Sequence, residues 1–375
     1  MRIGFCSSDW ADFNTGSPGG CTWIRMLSVA TYFSDIGYET SCGEVGWVEG
    51  EGFVVAPTQA RMYASDRSPI QNPENAFDKL DVVILKLFMH KDARTYIEKA
   101  RSYGQVVIID IDDWFLGLPQ TNIAFETTHP NANSEWNRDH FHASYSAADA
   151  LIHSTEFLAE GYARYNKNNY IVRNSVDPNL FVKRYDNAGW KPTIGWVGIM
   201  LWRQHDVEEL QGILGSFLEE HDLMFYHAGA LLDRPKQFAE LTKMNPDRLI
   251  EVTGTNVWNY GNILLPMDVG IVPLDGSPFN EAKSSLKGIE YAMTGIPFVA
   301  SNTAEYRLLS SEGAGKIAKK KYDYIKHLEY YLDPANRKAD AQRGYETVIE
   351  KYNLSTRIYE WAETVETIYK KAKVL

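Results

Sequence analysis

Cysteine is scarce in this chain. Cys6, Cys21 and Cys42 are three among 375 residues, an odd number without CxxC spacing and confined to the first 42 positions. That excludes a disulfide framework and a structural zinc, and it points to a reducing compartment. Long apolar runs are missing as well. None approaches the roughly 18 residues a membrane span needs, and the opening Met1-Arg-Ile-Gly-Phe-Cys-Ser-Ser lacks the basic region, apolar stretch and small-residue cleavage site of a secretory leader. A cytoplasmic protein with no membrane span is expected. Positive charge is in deficit: 38 Lys and Arg against 49 Asp and Glu leave a net charge of −11. Affinity built on neutralising phosphates over the whole surface is therefore disfavoured, and only a local basic cleft stays open. Also absent are a fixed-period repeat, a G-x-S-x-G elbow, a Walker G-x-x-x-x-G-K-[ST] loop and an HExxH pair. Solenoids, the common serine hydrolases, nucleotide triphosphatases of the Walker type and zincins are set aside, and no metal site is expected.

What is present suffices for a real core: 44% hydrophobic and 13% aromatic residues, in a chain long enough for two domains. Apolar runs of strand length alternate with stretches of helical periodicity, the pattern of a parallel sheet with crossover helices. In the first half the runs are Arg2–Cys6, Asp81–Leu87, Gln105–Ile111, Ala150–His153 and Asn169–Arg173. Trp23–Ile36 sets Ile24, Leu27, Ala30 and Phe33 three apart on one helical face and stops at Gly37. Thr58–Ala76 and Asn122–Asn137 read as long loops, which in compact domains tend to carry function. After Asn174-Ser-Val-Asp-Pro a second series begins: Thr193–Val197, Met224–His227, Ile250–Thr253, Val269–Pro273 and Pro297–Ala300. Ser355–Val374 then places Ile358, Trp361, Ala362, Val365 and Ile368 at helical spacing. The expected fold is α/β, two Rossmann-like doubly wound domains facing across a cleft, with domains at 1–176 and 177–353 and a closing helix at 354–375. Such sheets bind ligands beyond the carboxyl ends of their strands.

Four segments carry candidate chemistry. In Pro278–Ser301, a helix starting near Ser284 would bury Leu286, Ile289 and Met293 and align Lys283, Lys287 and Glu290 on another stripe. Ser284 and Ser285 can cap it, and its N–H groups favour an anion such as a diphosphate. Glu290 can accept hydrogen bonds from the vicinal hydroxyls of a ribose. The competing reading is an exposed helix with i,i+4 charge support, weakened by the turn Gly295-Ile-Pro-Phe-Val-Ala-Ser into a buried strand. In Ile194–Asp206, Gly198 lets the backbone approach a ligand and Arg203 offers a fork for phosphate oxygens, against an ordinary turn and a surface arginine. Asn14-Thr-Gly-Ser-Pro-Gly-Gly-Cys21 fails the GxGxxG spacing; its pair Gly19 and Gly20 can lie against a sugar or phosphate, or simply connect strand to helix. Asp110-Ile-Asp-Asp-Trp114 gathers three carboxylates at a strand end, a costly cluster unless it meets a cation, a proton or hydroxyl donors. It reads as a carboxylate pair for an acceptor hydroxyl, as structural capping, or as an Asp-x-Asp metal site. Trp114 and Phe115 suit stacking on a ligand or packing in the core. Arg61, Arg67, Lys79, Lys86, Lys91, Arg94, Lys99 and Arg101 cluster in sequence and read first as a solvated basic face.

With these residues assembled, the chain resembles the large retaining class of GT-B glycosyltransferases that includes glycogen and sucrose synthases. Glu290-Tyr-Ala-Met-Thr-Gly-Ile-Pro-Phe-Val-Ala-Ser301 is similar to that family's EAMACGxPVVAS element, the most specific of the signals. Gly19-Gly20 resembles its N-terminal glycine loop, and Arg173-Asn-Ser-Val-Asp-Pro-Asn-Leu-Phe181 its NGVD…F junction. Gly198 with Arg203 resembles its glycine and diphosphate-binding basic residue, and Met267-Asp-Val-Gly-Ile-Val-Pro273 its aDvxvxPS strand. There are two departures. The family's paired glutamates have seven residues between them, but the position eight before Glu290 is Ala282, and Glu281 is one residue out of register. Asn280–Lys287 looks instead like a sub-branch in which a lysine and serines meet the donor phosphates. Asp110-Ile-Asp-Asp-Trp stands where many members carry a histidine-containing acceptor loop, with Asp112 and Asp113 as the obvious substitute.

The resemblance implies a nucleotide sugar held mainly by the C-terminal domain, and a last helix that crosses back to the N-terminal one. It implies a UDP- or GDP-sugar as donor substrate with no obligatory cofactor or metal, because a helix N-terminus, Arg203 and Lys283 offset the leaving diphosphate. The leaving phosphate helps to deprotonate the incoming hydroxyl, so no protein nucleophile is required. The implied donor set is Gly19, Gly20, Gly198, Arg203, Gly254, Thr255, Lys283, Ser284, Ser285 and Glu290; the acceptor set is Asp112, Asp113 and Trp114. Asp112, Asp113, Arg203 and Lys283 are the catalytic candidates. The acceptor is a glycan, a protein hydroxyl or a hydroxymethylated DNA base, and the compact length and divergent motifs suggest a phage or bacterial member. A nucleotide-sugar epimerase of the same fold and a non-catalytic nucleotide-sugar-binding protein are the alternatives.

Overall fold

The computed structural model describes residues 1–7, 19–48, 52–57, 62–63, 69–70, 79–86, 93–132, 140–184, 191–200 and 203–374. Positions 14–18 of the glycine loop, most of 58–76, 133–137 of the second expected loop, and Arg61, Arg67 and Lys91 lie outside them. The chain divides into two compact units. One comprises 1–116, 125–174 and 354–375, the other 117–124 and 175–353. The short excursion 117–124 belongs with the second unit although its neighbours in sequence belong to the first.

The strands of the first unit are β1 (Arg2–Ser7), β2 (Glu39–Val48), β3 (Gly52–Pro57), β4 (Met62–Tyr63), β5 (Pro69–Ile70), β6 (Val82–Lys86), β7 (Val106–Ile111), β8 (Ala150–His153) and β9 (Asn169–Ile171). Among the described residues the main sheet runs β3-β2-β1-β6-β7-β8-β9, parallel except for the antiparallel pair β2 and β3, while β4 and β5 pair apart from it. β6 and β7 are buried along their whole length, as Val- and Ile-rich strands with both faces covered must be. β2 and β3 are not among the expected strands. Glu39-Thr-Ser-Cys-Gly-Glu-Val-Gly-Trp-Val mixes polar, small and apolar residues and never builds an apolar run. Within the expected loop Asn122–Asn137 a short helix forms at Phe125–Thr128.

A helical segment follows β1, with a π-helical turn at Trp23–Leu27 continuing into Ser28–Asp35. Phe33 of this segment packs with Ile3, Phe5 and Val82 in one core, joined by Ile358, Trp361 and Val365 of the last helix, Leu354–Val374. Tyr38 Oη donates to Glu366 Oε1 at 2.6 Å and fastens that helix further along its length.

The second unit holds β10 (Ile194–Val197), β11 (Phe225–Ala230), β12 (Leu249–Thr253), β13 (Val269–Val272), β14 (Phe298–Ser301) and β15 (Lys316–Ala318) in the order β12-β11-β10-β13-β14-β15, all parallel. Its core gathers Trp196, Phe225, Phe238 and Val269 with Tyr324 and Tyr331. Gly295, at φ +77°, turns the helix Leu286–Met293 into β14.

Candidate functional site

β10 and β13 are neighbours, yet β11 and β12 separate them in the chain. The sheet is built one way from β10 and the other way from β13, and a crevice opens at such a reversal beyond the carboxyl ends of the strands. Residues that follow both strands line a cavity of 180 Å³ there: Arg203 and Asp206 after β10, Asp275 and Asn280 after β13, with Asn122 and Ile123 of the 117–124 excursion.

The acids of this cavity are engaged within the protein. Asp206 is buried and accepts from Asp275 N at 3.0 Å, from Asn280 Nδ2, and from Arg203 Nη1 at 3.3 Å. Burial raises its pKa against the pull of Arg203. Asp275 Oδ1 accepts from Ser277 N at 3.0 Å and from Asn280 Nδ2 at 2.6 Å. Arg203 engages Asp206 through Nη1, and its other guanidinium N–H groups, together with the guanidinium of Arg234 lining the same cavity, are donors suited to an anion.

The helix expected from Ser284 begins at Leu286, and Ser285 occupies its N-cap position without a side-chain capping bond, which corrects the expected cap. Lys283 Nζ sits 4.2 Å from the centroid of the Phe279 ring. Lys287 and Glu290 do not form an exposed stripe. Lys287 Nζ donates to the carbonyl of Val197, the last residue of β10, and Glu290 is buried with Oε2 accepting from Tyr260 Oη at 2.8 Å. Burial pushes the Lys287 pKa down and that of Glu290 up, and each charge opposes the shift of the other. Glu281, the acid out of register, accepts from Ala304 N at 3.0 Å at the start of helix Ala304–Glu312. Gly198 follows β10, and a Cβ there would come within 2.6 Å of the Trp196 indole, so a close approach within the protein requires this glycine. Gly254 and Thr255 follow β12, two strands away from β10, and a Cβ at Gly254 would meet nothing within 4 Å.

In the first unit the corresponding reversal lies between β1 and β6. The three carboxylates after Ile109 part company there. Asp110 is fully buried and takes a two-point bond from Arg25, Nε to Oδ1 at 3.0 Å and Nη2 to Oδ2. Arg25 also donates to Val172 O at 2.7 Å and Asn174 Oδ1 at 3.1 Å, and its guanidinium lies 4.6 Å from the Trp361 ring centroid. Asp110 is thus a structural anion. Asp112 pairs instead with Lys86, 3.8 Å away, and both are buried. Lys86 therefore does not belong to a solvated basic face. Asp113 is half-buried, and its carbonyl accepts from Tyr162 Oη at 3.0 Å. Trp114 packs edge-on against Tyr162 and Phe157, at 4.9 and 5.7 Å between centroids, and so tightly on Gly161 that a Cβ there would come within 2.4 Å. Gly19 is the N-cap of the helical segment after β1, and a Cβ at Gly20 would meet only open space.

Gly198, Arg203, Gly254, Thr255, Lys283, Ser284, Ser285 and Glu290 therefore belong to the second unit, and Gly19, Gly20, Asp112, Asp113 and Trp114 to the first. Lys86, Asp206, Tyr260 and Asn280 were not among the expected site residues. A lysine closing the apolar run Asp81–Leu87 and an acid three residues after Arg203 were the available signals.

No protein-family model and no curated protein sequence matches the chain. Solved structures do. Sucrose-phosphate synthase from Thermosynechococcus elongatus matches over 99% of this chain and 100% of its own, with a TM-score of 0.66 at 12% identity. Anabaena HepE, solved with UDP and glucose, matches over 98% and 100%, with a TM-score of 0.63 at 13% identity. A glycosyltransferase from Rickettsia africae matches over 98% of both chains, with a TM-score of 0.61 at 13% identity. The shared feature is the fold, two Rossmann-like domains in one chain, known as GT-B.

Proposed function

We propose that this GT-B chain transfers a sugar from a nucleoside diphosphate sugar, UDP- or GDP-linked, to an acceptor hydroxyl with retention of configuration. The observation that carries the reading is the cavity at the β10–β13 reversal, where both acids are tied up internally and two guanidiniums, Arg203 with its Nη1 on Asp206 and Arg234, offer further donors for a diphosphate. Lys283 and the backbone at Ser284 and Ser285 complete the phosphate side. Gly198, Gly254 and Thr255 border the donor, and Glu290 faces its ribose. Gly19 and Gly20, at the start of the helical segment after β1, are the donor-binding candidates of the first unit. The neighbours point the same way, since HepE was solved with UDP and glucose.

The bond between the anomeric carbon and the diphosphate oxygen breaks while the acceptor oxygen bonds to that carbon. The hydroxyl proton passes to the departing phosphate oxygen, which leaves a glycoside and a nucleoside diphosphate. Arg203 and Lys283 offset the charge that develops on the leaving group, so the reading requires no metal for that purpose. Neither acid of the Pro278–Ser301 segment serves as a nucleophile here, because Glu281 caps a helix and Glu290 is bonded to Tyr260. Asp112, Asp113 and Trp114 bind and orient the acceptor.

A thermal-shift screen with UDP, GDP, ADP, TDP and their common sugar conjugates tests the donor site. One nucleotide should raise the melting temperature of the wild type, and Lys283→Ala should lose that shift. A flat screen would remove the reading. Turnover of the donor that yields an epimerised sugar rather than a glycoside would reassign the same site to an epimerase.

A further inference from the structure

The carboxyl edge of the first sheet holds more buried charge than its packing explains. β6 and β7 pair in register with Lys86 opposite Asp110, and two residues beyond Asp110 the Asp112 carboxylate lies 3.8 Å from Lys86 Nζ. Lys86 is 5% exposed and Asp112 8%. The groups that act on Lys86 are Asp112, Cys21, Asp110 and Asp113. Of these, Asp110 already has Arg25 as its partner through two nitrogens, and Asp112 acts on Lys86 most strongly and lies within ion-pair distance of it. His153 closes β8 opposite Ile111, and burial pushes its pKa down to about 3, so it stays neutral and does not compete as a cation. Tyr145 is buried near Asp112. Apolar side chains of similar size commonly replace a buried ion pair without loss of stability. A desolvated pair at a strand end beside a chain reversal is where function concentrates.

We propose that Lys86 is a positioning residue of the transfer reaction, fixing the Asp112 carboxylate at the edge where the acceptor hydroxyl docks, so that Asp112 accepts that hydroxyl's hydrogen bond. The inference rests on the glycosyl-transfer reading. Lys86 itself touches no reacting atom, and the proton still leaves with the phosphate. Without Lys86, Asp112 loses the cation beside it while the like charge of Asp110 stays near, and it takes up a proton at higher pH.

The test measures UDP release from UDP-glucose with water as acceptor, and UDP affinity by calorimetry, on the wild type, Lys86→Met and Lys86→Arg. Lys86→Met should lower kcat about a hundredfold, leave the UDP dissociation constant within about twofold, and move the acid limb of the kcat profile to higher pH. Lys86→Arg should restore most of the rate. If Lys86→Met melts too low to assay, Lys86→Met/Asp112→Met removes both charges and should be equally slow. Wild-type kcat with an unmoved acid limb in Lys86→Met overturns the role of Lys86 alone, and wild-type kcat in the double variant overturns that of Asp112 as well. Where the wild type binds GDP instead, the same assays run on GDP and GDP-glucose; a wild type that binds neither nucleotide overturns the glycosyl-transfer reading and this inference with it.

Discussion

Lys287 and Glu290, three residues apart on the helix Leu286–Met293, govern each other's ionisation. Burial lowers Lys287 to about 8, and the Glu290 carboxylate is the main influence holding it up. Glu290→Gln should therefore drop the Lys287 pKa further, as a lysine side-chain NMR titration would record; an unmoved titration would deny the link. The Glu290 carboxyl itself is raised from 4.5 to about 7. Its contribution to stability is fully present below pH 4.5 and fades as pH rises through about 7. Denaturant titrations across that window should show the wild type losing stability relative to Glu290→Gln. Asp110 offers a contrast, since Arg25 holds it through a two-point bond. Asp110→Ala leaves a buried guanidinium without its anion and should cost about 3–5 kcal/mol of unfolding free energy, read from urea melts. At this scale the sequence was a partial guide. Helical spacing brought Lys283, Lys287 and Glu290 onto one stripe, but it carries no information about Val197 or Tyr260, which arrive from other elements and engage a half-buried lysine and a buried carboxyl.

Elements were more legible where a single residue type is forced by geometry. The turn read at Gly295 is a left-handed position, φ +77°, with the Arg184 carbonyl 3.1 Å from where a Cβ would stand. Gly295→Ala should cost about 1–2 kcal/mol, measured by thermal or chemical denaturation, without altering the donor site. The strands β6, β7, β8 and β10 were legible from apolar runs because both their faces are buried. β2 was not, because strand formation there does not depend on an unbroken apolar run. The Trp23–Leu27 π-turn likewise has no periodic signature, although it bears the arginine that neutralises Asp110.

The two series of strands were visible at the scale of the whole molecule, since each repeats the alternation of run and helix. The 117–124 excursion was not. Gly117-Leu-Pro-Gln-Thr-Asn-Ile-Ala124 differs from its surroundings in no compositional way, and only the fold assigns it to the second unit. The last helix was legible as amphipathic, and its apolar face joins the first core. Truncation after Asn353 should therefore unfold the first unit, exposing Ile3, Phe5 and Phe33, while UDP binding by the second unit survives. Circular dichroism and calorimetry on the truncated chain would check both halves of that expectation.

That same helix sets the order of events during synthesis. The first unit is interrupted at Asn174 and resumes only at Leu354. At about 5–20 residues per second, the ribosome needs roughly 10–40 s to deliver the intervening stretch. Through that interval the nascent sheet waits with one apolar face unmet. The second unit is complete before the first is, although synthesis of the first begins earlier.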